Sequence, residues 1–246
     1  MIQLPTEPKI ISKTGNKAVF EIEPLYPGYG MTIGNTLRRV LISSLDGAAI
    51  TSIRIKGVEH EFSAASGVLE DVIQIMLNIK GVRFRVFKDE PVMLKLHHKG
   101  QGEVTAGDIE ASADAEVINK DAHIATVTDK KGEFEMELTV EKGVGYVPAD
   151  QIKKEKLSVG EIAVDGIFTP VRNVNFTVEN IRVGQRTDYN KVLLDVETDG
   201  SVSPEEALAK AAQILIDHFN IITKIELPPA ESDTVKIKKA KKKKAE

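Results

Sequence analysis

The histidines and glycines are the residues of this sequence whose spacing could support chemistry. The sequence has five histidines, at positions 60, 97, 98, 123 and 218. His60-Glu61 begins like the helix of a zinc peptidase, but position 64 is Ala, so the second imidazole one turn later is missing. Cysteine is absent, which excludes disulfides, cysteine-ligated zinc, iron–sulfur clusters and thiol nucleophiles. The spacing therefore predicts neither a catalytic residue nor a metal site.

Phosphate and cofactor loops are also missing from the sequence. Gly28-Tyr29-Gly30 resembles the start of a dinucleotide loop, but the third glycine should fall at position 33, which is Ile. No glycine-rich loop ends in Gly-Lys-Ser/Thr, and no spacing singles out a pair of carboxylates for acid–base work. We therefore expect no cofactor, and the isolated chain is predicted to be inactive as an enzyme.

Charge is distributed unevenly along the 246 residues. The chain has 33 Lys and Arg against 37 Asp and Glu, but seven of the lysines lie in residues 236–246. Without these eleven residues 26 basic and 36 acidic residues remain, a nominal charge of −10. Such an acidic body argues against a broad surface for nucleic-acid phosphates. No apolar run approaches 18 residues and the N-terminus does not resemble a signal peptide, so an intracellular chain without a membrane span is expected.

The first helix is predicted from Thr32, as N-cap, to about Leu45, with Gly47 as its stop signal. At 100° per residue, one apolar stripe contains Ile33, Leu37, Val40 and Leu41. Asn35, Arg39 and Ile42 point to the other side, and Arg38 lies at the edge of the stripe. An outward Arg beside an outward Ile is typical of an interface anchor. An ordinary solvated helix face with one stray Ile explains the same pattern, and the sequence alone favours that explanation.

Alternating strands and a second helix fill most of the remaining chain. Strand patterns cover residues 16–23, which Pro24 ends, then 48–62, several short runs within 82–147, 166–183 and 191–197. The second helix is predicted from about Gly67 to Lys80, with Val68, Leu69, Val72, Ile73, Met76 and Leu77 on one face. Lys80 and Gly81 form an ordinary helix stop. Together with the helices, this indicates the α+β class.

The last helix has the clearest start, with Ser203 as cap, Pro204 at the first position and two glutamates next, and it continues to about Ile222. One apolar stripe comprises Leu208, Ala211, Leu215, Phe219 and Ile222, and a second comprises Ala207, Ile214, His218 and Ile221. A helix that is apolar on two sides must be covered on both. A second copy of the chain across a two-fold axis is the simplest cover, and a larger intrachain core is the alternative.

Eight short segments, spread over nearly the whole chain, match one protein family in its own order. The family signature is matched by residues 28–41 (GYGMTIGNTLRRVL). Further matches are residues 57–62 (GVEHEF), 70–71 (ED), 77–81 (LNIKG), 143–149 (GVGYVPA), 185–188 (QRTD), 197–200 (ETDG) and 204–207 (PEEA). Together these segments resemble the N-terminal region of the bacterial and plastid RNA polymerase alpha subunit family.

The resemblance implies two domains, the second inserted into the first. Residues 1–47 and 171–226 would form a dimerisation domain, a sheet with two long helices, and residues 48–170 an inserted β-rich domain. Residues 227–246 would be a disordered, Lys-rich tail. The helices of two copies would pack as a four-helix arrangement. The expected dimer contacts are Ile33, Leu37, Leu41, Leu208, Ala211, Leu215, Phe219 and Ile222.

The resemblance also implies a function and partners. The alpha homodimer of this family is the non-catalytic platform on which the beta and beta prime subunits assemble, with omega and sigma in the holoenzyme. Asn35, Arg38, Arg39 and Ile42 match the beta contact, which makes the interface interpretation of Arg39 the preferred one. Lys80 and Val164 match positions of the beta prime contact, although the helix stop explains Lys80 equally well. The bacterial cytoplasm is the expected location, ahead of the plastid stroma.

The resemblance ends at the C-terminus. Family members usually continue through a linker into a small helical domain that contacts promoter DNA and activators, whereas this sequence ends in lysines after Pro229. Contact with DNA is therefore expected only indirectly, through the complex. The alternative function is a nucleic-acid-binding adaptor that acts through the basic tail.

Overall fold

The structure is a computed structural model that describes residues 2–152, 157–158 and 160–225. Its helices are α1 (Tyr29–Ser43), α2 (Val72–Ile79), α3 (Ala149–Ile152) and α4 (Pro204–Ile222), with a 3₁₀ turn at Ala106–Asp108. Its strands are β1 (Lys9–Thr14), β2 (Lys17–Leu25), β3 (Asp46–Ile55), β4 (Phe84–Val86), β5 (Val92–Lys99), β6 (Gly102–Thr105), β7 (Ala115–Val117), β8 (His123–Val127), β9 (Glu133–Val144), β10 (Tyr146–Val147), β11 (Ile162–Ala163), β12 (Gly166–Ile167), β13 (Val171–Val183) and β14 (Arg186–Thr198). The predicted α+β class is confirmed. The predicted tail, residues 227–246, lies outside the described residues.

The two ends of the chain share one antiparallel sheet, with strand order β1-β2-β14-β13. Alternate residues of β2 and β14 are buried on one face, among them Phe20, Ile22 and Leu194. Helices α1 and α4 cover that face and contribute Leu37, Leu41, Ala207 and Ala211 to the same core. We call this part, residues 2–45 and 170–225, the terminal unit.

The middle of the chain, residues 46–169, has a second core, and we call it the central unit. Its main sheet is antiparallel, in the order β11-β3-β9-β5, and the pairs β4-β7, β6-β8 and β10-β12 surround it. Helix α2 packs against β8 and buries Ile75 and Ile79 beside Leu138 and Phe84. The chain passes between the two units twice, near Asp46 and near Pro170.

Helix α1 begins earlier than predicted, because the glycine segment before it is structural. Its N-cap is Gly28, at φ 87°, and not Thr32. The side-chain oxygen of Asn190 accepts hydrogen bonds from the N–H groups of Gly28, at 2.9 Å, and Gly30, at 3.3 Å. A Cβ atom at Gly34 would lie 2.5 Å from the ring of Phe176 on β13. These glycines therefore let the helix approach the sheet closely, which explains the run that resembled a cofactor loop.

The second helix begins later than predicted but ends as predicted, and the last helix has both of its predicted bounds. Helix α2 begins at Val72, where the Asp71 carboxylate caps it by accepting from the N–H of Gln74, at 2.7 Å. Helix α4 spans Pro204–Ile222, as predicted, and Ser203 forms a capping box with Glu206.

Two predicted strands also have different bounds in the structure. Strand β2 continues through Pro24 to Leu25, and β3 runs over Asp46–Ile55 and not 48–62.

Gly47 does not stop α1, because the helix already ends at Ser43. It lies in β3, at the point where the chain enters the central unit. A Cβ atom there would lie 1.8 Å from the carbonyl oxygen of Phe168, near the point where the chain returns. The close approach of two backbones at the boundary of the units therefore requires glycine at this position.

Gly47→Ala is expected to destabilise the protein, since the added methyl group meets backbone that must move. Overpacking of this kind costs about 1–3 kcal/mol. Urea unfolding followed by circular dichroism would measure the loss. Asp46→Ala is the matched control, because Asp46 is exposed and only its surface ion pair with Lys210, at 3.3 Å, is lost. Equal unfolding midpoints for the two variants would contradict this account of Gly47.

Candidate protein-interaction surfaces

The outer side of α1 has a row of exposed residues of mixed chemistry. They are Met31, Asn35, Arg38, Arg39 and Ile42, with Met31 59% and Ile42 46% exposed. We call this row the α1 ridge. It lies opposite the stripe of Leu37 and Leu41, which faces the sheet of the same chain. All four residues that the sequence analysis assigned to the beta contact thus lie on one exposed surface, and Met31 is an addition.

The two arginines of the α1 ridge have different surroundings. Arg38 donates a hydrogen bond to Asn35 Oδ1, at 3.2 Å, and its guanidinium lies 5.8 Å from the ring centroid of Phe176. Arg39 is exposed, and within the described part of the chain its side chain has no hydrogen-bond or ion-pair partner. An unpaired guanidinium next to exposed apolar side chains can form bidentate bonds with a foreign carboxylate.

Lys80 and the segment around Val164 lie together, although 84 positions separate them. Lys80 Nζ is 2.6 Å from Asp165 Oδ2, and the other oxygen of Asp165 accepts from the N–H of Ala149, at 2.8 Å. These bonds hold the pKa of Asp165 below its usual range. The Val164 side chain is fully buried in the core of the central unit, so the exposed surface here belongs to Lys80 and Asp165. Lys80 is about one-quarter exposed.

The second half of α4 exposes a continuous apolar surface. Its large exposed residues are Ile216, Phe219, Ile221, Ile222 and Ile225, the last just after the helix, and all are at least half exposed. We call this surface the α4 end. Within the described ranges, these side chains are left without the cover that the first half of the helix receives from its own sheet. Burying them would be favourable in proportion to their apolar area.

Several residues predicted for the dimer contact are buried in their own chain. Leu41 and Ala211 are 0% and Leu37 7% exposed, all in the core of the terminal unit, so their side chains already pack within the same chain. Ile33, Leu208 and Leu215 are half-buried against the same core. Periodicity identified the apolar stripes correctly, but it could not say which stripe the chain covers by itself.

Three residues of the apolar face predicted for the second helix are exposed, together with a Phe on the loop before it. Leu69, Ile73 and Leu77 are 71%, 42% and 60% exposed, and Phe62 on the preceding loop is 78% exposed. Helix α2 instead buries Val72, Ile75 and Ile79. Apolar residues cover all of this helix except the strip of Gln74 and Asn78, so the sequence did not reveal which part of that wide face meets the core.

One histidine and two glutamates meet on the outer face of the central sheet. His97 Nε2 lies 2.8 Å from Glu133 Oε1 and 3.8 Å from Glu135 Oε1, so the three could offer ligands to a metal ion. The sequence did not reveal this arrangement, because the histidine is far from the two glutamates along the chain. The same carboxylates already pair with lysines, Lys56 with Glu135 at 2.9 Å and Lys99 with Glu133 at 3.5 Å. Cross-strand ion pairs therefore account for the group.

His123 links two glutamates on the other side of the central unit. Its Nε2 lies 3.0 Å from Glu70 Oε1 and its Nδ1 lies 2.8 Å from Glu103 Oε1. Both nitrogens can donate only in the charged ring. Burial opposes that charge, but the hydrogen bonds and attraction of both glutamates outweigh burial and raise the pKa of His123. Burial of Glu70 is likewise outweighed, by hydrogen bonds from Thr126 and His123, and the pKa of Glu70 is lowered.

This arrangement predicts a stability that depends on pH. A raised pKa means that charged His123 stabilises the fold fully below its unfolded value, about 6.5, and that this contribution is lost as pH rises through the folded value. The melting temperature of the wild type should therefore exceed that of His123→Gln by more near pH 6 than near pH 9.

The measurement is differential scanning calorimetry at both pH values. Glu70→Gln is the control, because without that carboxylate the effect of replacing His123 should depend less on pH. A difference between wild type and His123→Gln that does not change with pH would contradict the assignment.

The central unit matches the model of a known protein family. The family model described as "RNA polymerase Rpb3/RpoA insert domain" matches residues 53–169. The chain thus contains the insert domain of this class of polymerase subunits. None of the helices in the described residues is long and apolar enough to cross a membrane.

Similar proteins extend the match to most of the chain. The DNA-directed RNA polymerase subunit alpha of Symbiobacterium thermophilum is 51% identical over 87% of this chain and 68% of its own length. Those of Roseiflexus castenholzii and Moorella thermoacetica are 50% and 54% identical over 87% and 82% of this chain. The chain spans 66% and 64% of those two relatives. It belongs to the family of RNA polymerase alpha subunits, and the predicted family is confirmed.

Proposed function

We propose that the chain forms a homodimer that serves as the assembly platform of a DNA-directed RNA polymerase and binds the beta and beta prime subunits. The apolar α4 end carries this proposal, because a surface of that size needs a partner. Nucleotidyl transfer then belongs to the large subunits, and the isolated chain is inactive. The complex would act in the bacterial cytoplasm, with omega and sigma as the other holoenzyme partners.

The terminal unit supplies the dimer contact in this proposal. Residues 1–47 and 171–226 form the dimerisation domain, and residues 48–170 the inserted domain. Each apolar side chain that becomes fully buried contributes about 1.5–3 kcal/mol, against an association cost of about 4–15 kcal/mol. A dimer would bury five large residues at each of its two α4 ends. The free energy gained by burying them, together with the half-buried Leu208, Leu215 and Ile33, exceeds the cost of association.

Phe219→Asp tests the dimer. Phe219 is 57% exposed in the single chain, so the change spares the intrachain core while it places a charge in the proposed contact. Sedimentation at micromolar concentration should show a folded monomer where the wild type is a dimer.

Gln213→Glu is the matched control on the same helix. It adds one negative charge at an exposed position that lies about 120° around the helix from Phe219, and it should leave the dimer intact. A monomeric wild type, or a Phe219→Asp protein that remains a dimer, would overturn this part of the proposal.

The α1 ridge is the proposed beta contact, with Arg39 at its centre and Asn35, Arg38 and Ile42 around it. The support is the unpaired guanidinium beside exposed Ile42 and Met31. Two copies related by a two-fold axis present this ridge twice, yet beta and beta prime differ. The asymmetry must therefore come from the partners, so that each copy offers every surface but uses only some.

Arg39→Ala should weaken assembly and leave the dimer unchanged. A contact at the centre of an interface is worth about 2 kcal/mol or more, which corresponds to about a 30-fold loss of affinity. Co-expression with beta and beta prime, followed by affinity capture of the alpha chain, would measure it. Arg182→Ala removes another exposed arginine, on β13, and is the control. Equal capture by both variants would contradict the role of Arg39.

The surface around Lys80 is the proposed beta prime contact. Its support is the Lys80–Asp165 ion pair, which holds the segment after Val164 against the end of α2. The half-buried Asp165 side chain, and not the buried Val164 side chain, would then meet the partner. The alternative adaptor function depends on the basic tail, which lies outside the described residues, and on a body whose charge is −10 without that tail.

A further inference from the structure

Two arginines of the central unit contact the turn that precedes α4. Arg83 lies just before β4, and its Nε is 3.7 Å from Asp199 Oδ2. Both side chains are removed from solvent, Arg83 being 15% and Asp199 5% exposed. Arg85, on β4, donates from Nε to the carbonyl oxygen of Ser201, at 3.0 Å, and from a terminal nitrogen to the same oxygen, at 2.9 Å. We call these contacts the arginine clamp.

Each side of the arginine clamp is fixed within its own unit. The N–H of Arg83 donates to Asn119 Oδ1, at 2.7 Å, and Arg85 also donates to Glu116 Oε2, at 3.1 Å. On the other side, Asp199 Oδ1 accepts from the N–H and hydroxyl of Ser201, at 2.9 and 2.6 Å. The clamp therefore joins two structured parts and not two loose side chains.

The turn itself also fits closely between the units. A Cβ atom at Gly200, where φ is 94°, would lie 2.8 Å from Asn16 Nδ2 of the terminal unit and 3.3 Å from Ile118 Cγ2 of the central unit. Helix α4 starts only three residues after Ser201. Any rotation of the central unit would therefore disturb the base of this helix.

We infer that Arg83 and Arg85 are positioning residues that hold the two units in one relative orientation. Two chain crossings alone permit rotation about the line that joins them, and domains linked only in this way normally move. A buried ion pair and charge-assisted bonds to carbonyl oxygens provide a third, separate attachment. The inference deepens the proposed function, on which it rests for its consequence: the clamp sets the distance between the α1 ridge and the surface around Lys80.

The test measures distances between the units with spin labels. The chain has no cysteine, so one label can be introduced at Thr177 on β13 and one at Lys131 in the central unit, both exposed. A tagged chain that carries the two cysteines is co-expressed with an excess of untagged, cysteine-free chain and is labelled after purification. Most dimers then contain one labelled copy, so that distances within one copy dominate. The wild type should give one narrow distance distribution.

Arg83→Gln combined with Arg85→Gln should broaden that distribution about twofold or more and reduce capture of beta and beta prime. Asp199→Asn is the second variant, because it removes the charge that faces Arg83 yet keeps an oxygen for Ser201. It should broaden the distribution in the same direction. Arg182→Gln is the control, since Arg182 bonds only within its own hairpin, to the carbonyl oxygen of Gly184 at 2.9 Å.

An unchanged distribution in the double variant overturns the inference, and so does a broadened distribution with undiminished capture. Failure of the proposed function has a different signature. In that case the wild type itself captures neither large subunit, while the distance measurement still reports whether the clamp holds the units.

Discussion

The close contact of α1 with the sheet determines where the exposed chemistry of the terminal unit points. At Gly30 and Gly34 the helix backbone approaches Val178 and Phe176 so closely that a Cβ atom would lie 2.7 and 2.5 Å away. The helix cannot rotate about its axis without losing this fit, because other residues would place side chains there. The ridge with Arg39 is therefore turned outward by glycines on the opposite side, and a motif that resembled a phosphate loop has a purely structural role.

The sequence predicted best where local signals and burial agree. For α4, the cap at Ser203 and the proline after it define the start, and the structure places both as predicted. For α1, periodicity correctly separated Leu37 and Leu41 from Asn35 and Arg39. It could not predict that Gly28 is the cap, because that depends on Asn190, which lies 162 positions away.

Burial by the same chain and burial by a partner leave the same pattern in a sequence. Leu41 and Phe219 are both apolar residues on helices, yet one is 0% and the other 57% exposed. Nothing local distinguishes them, since the difference depends on which part of α4 lies over β2 and β14. The same holds for Val164 and for α2, whose apolar residues extend around all of the helix except the side of Gln74 and Asn78. Pairs such as His123 with Glu70, or Arg83 with Asp199, are equally hidden, because only the folded strands bring them together.

The distribution of polar contacts suggests how a symmetric dimer can support an asymmetric assembly. Surfaces proposed to meet large partners lie on both units, the α1 ridge on one and Lys80 on the other. In the proposed assembly the ridge meets beta and the Lys80 surface meets beta prime, so the angle between the units would set how these two partners lie relative to each other. Fixing that angle would reduce the ordering cost of association, as preorganisation does in general. Each copy would then offer two surfaces at a fixed separation. Identical chains could bind different partners because each copy would use only some of its surfaces.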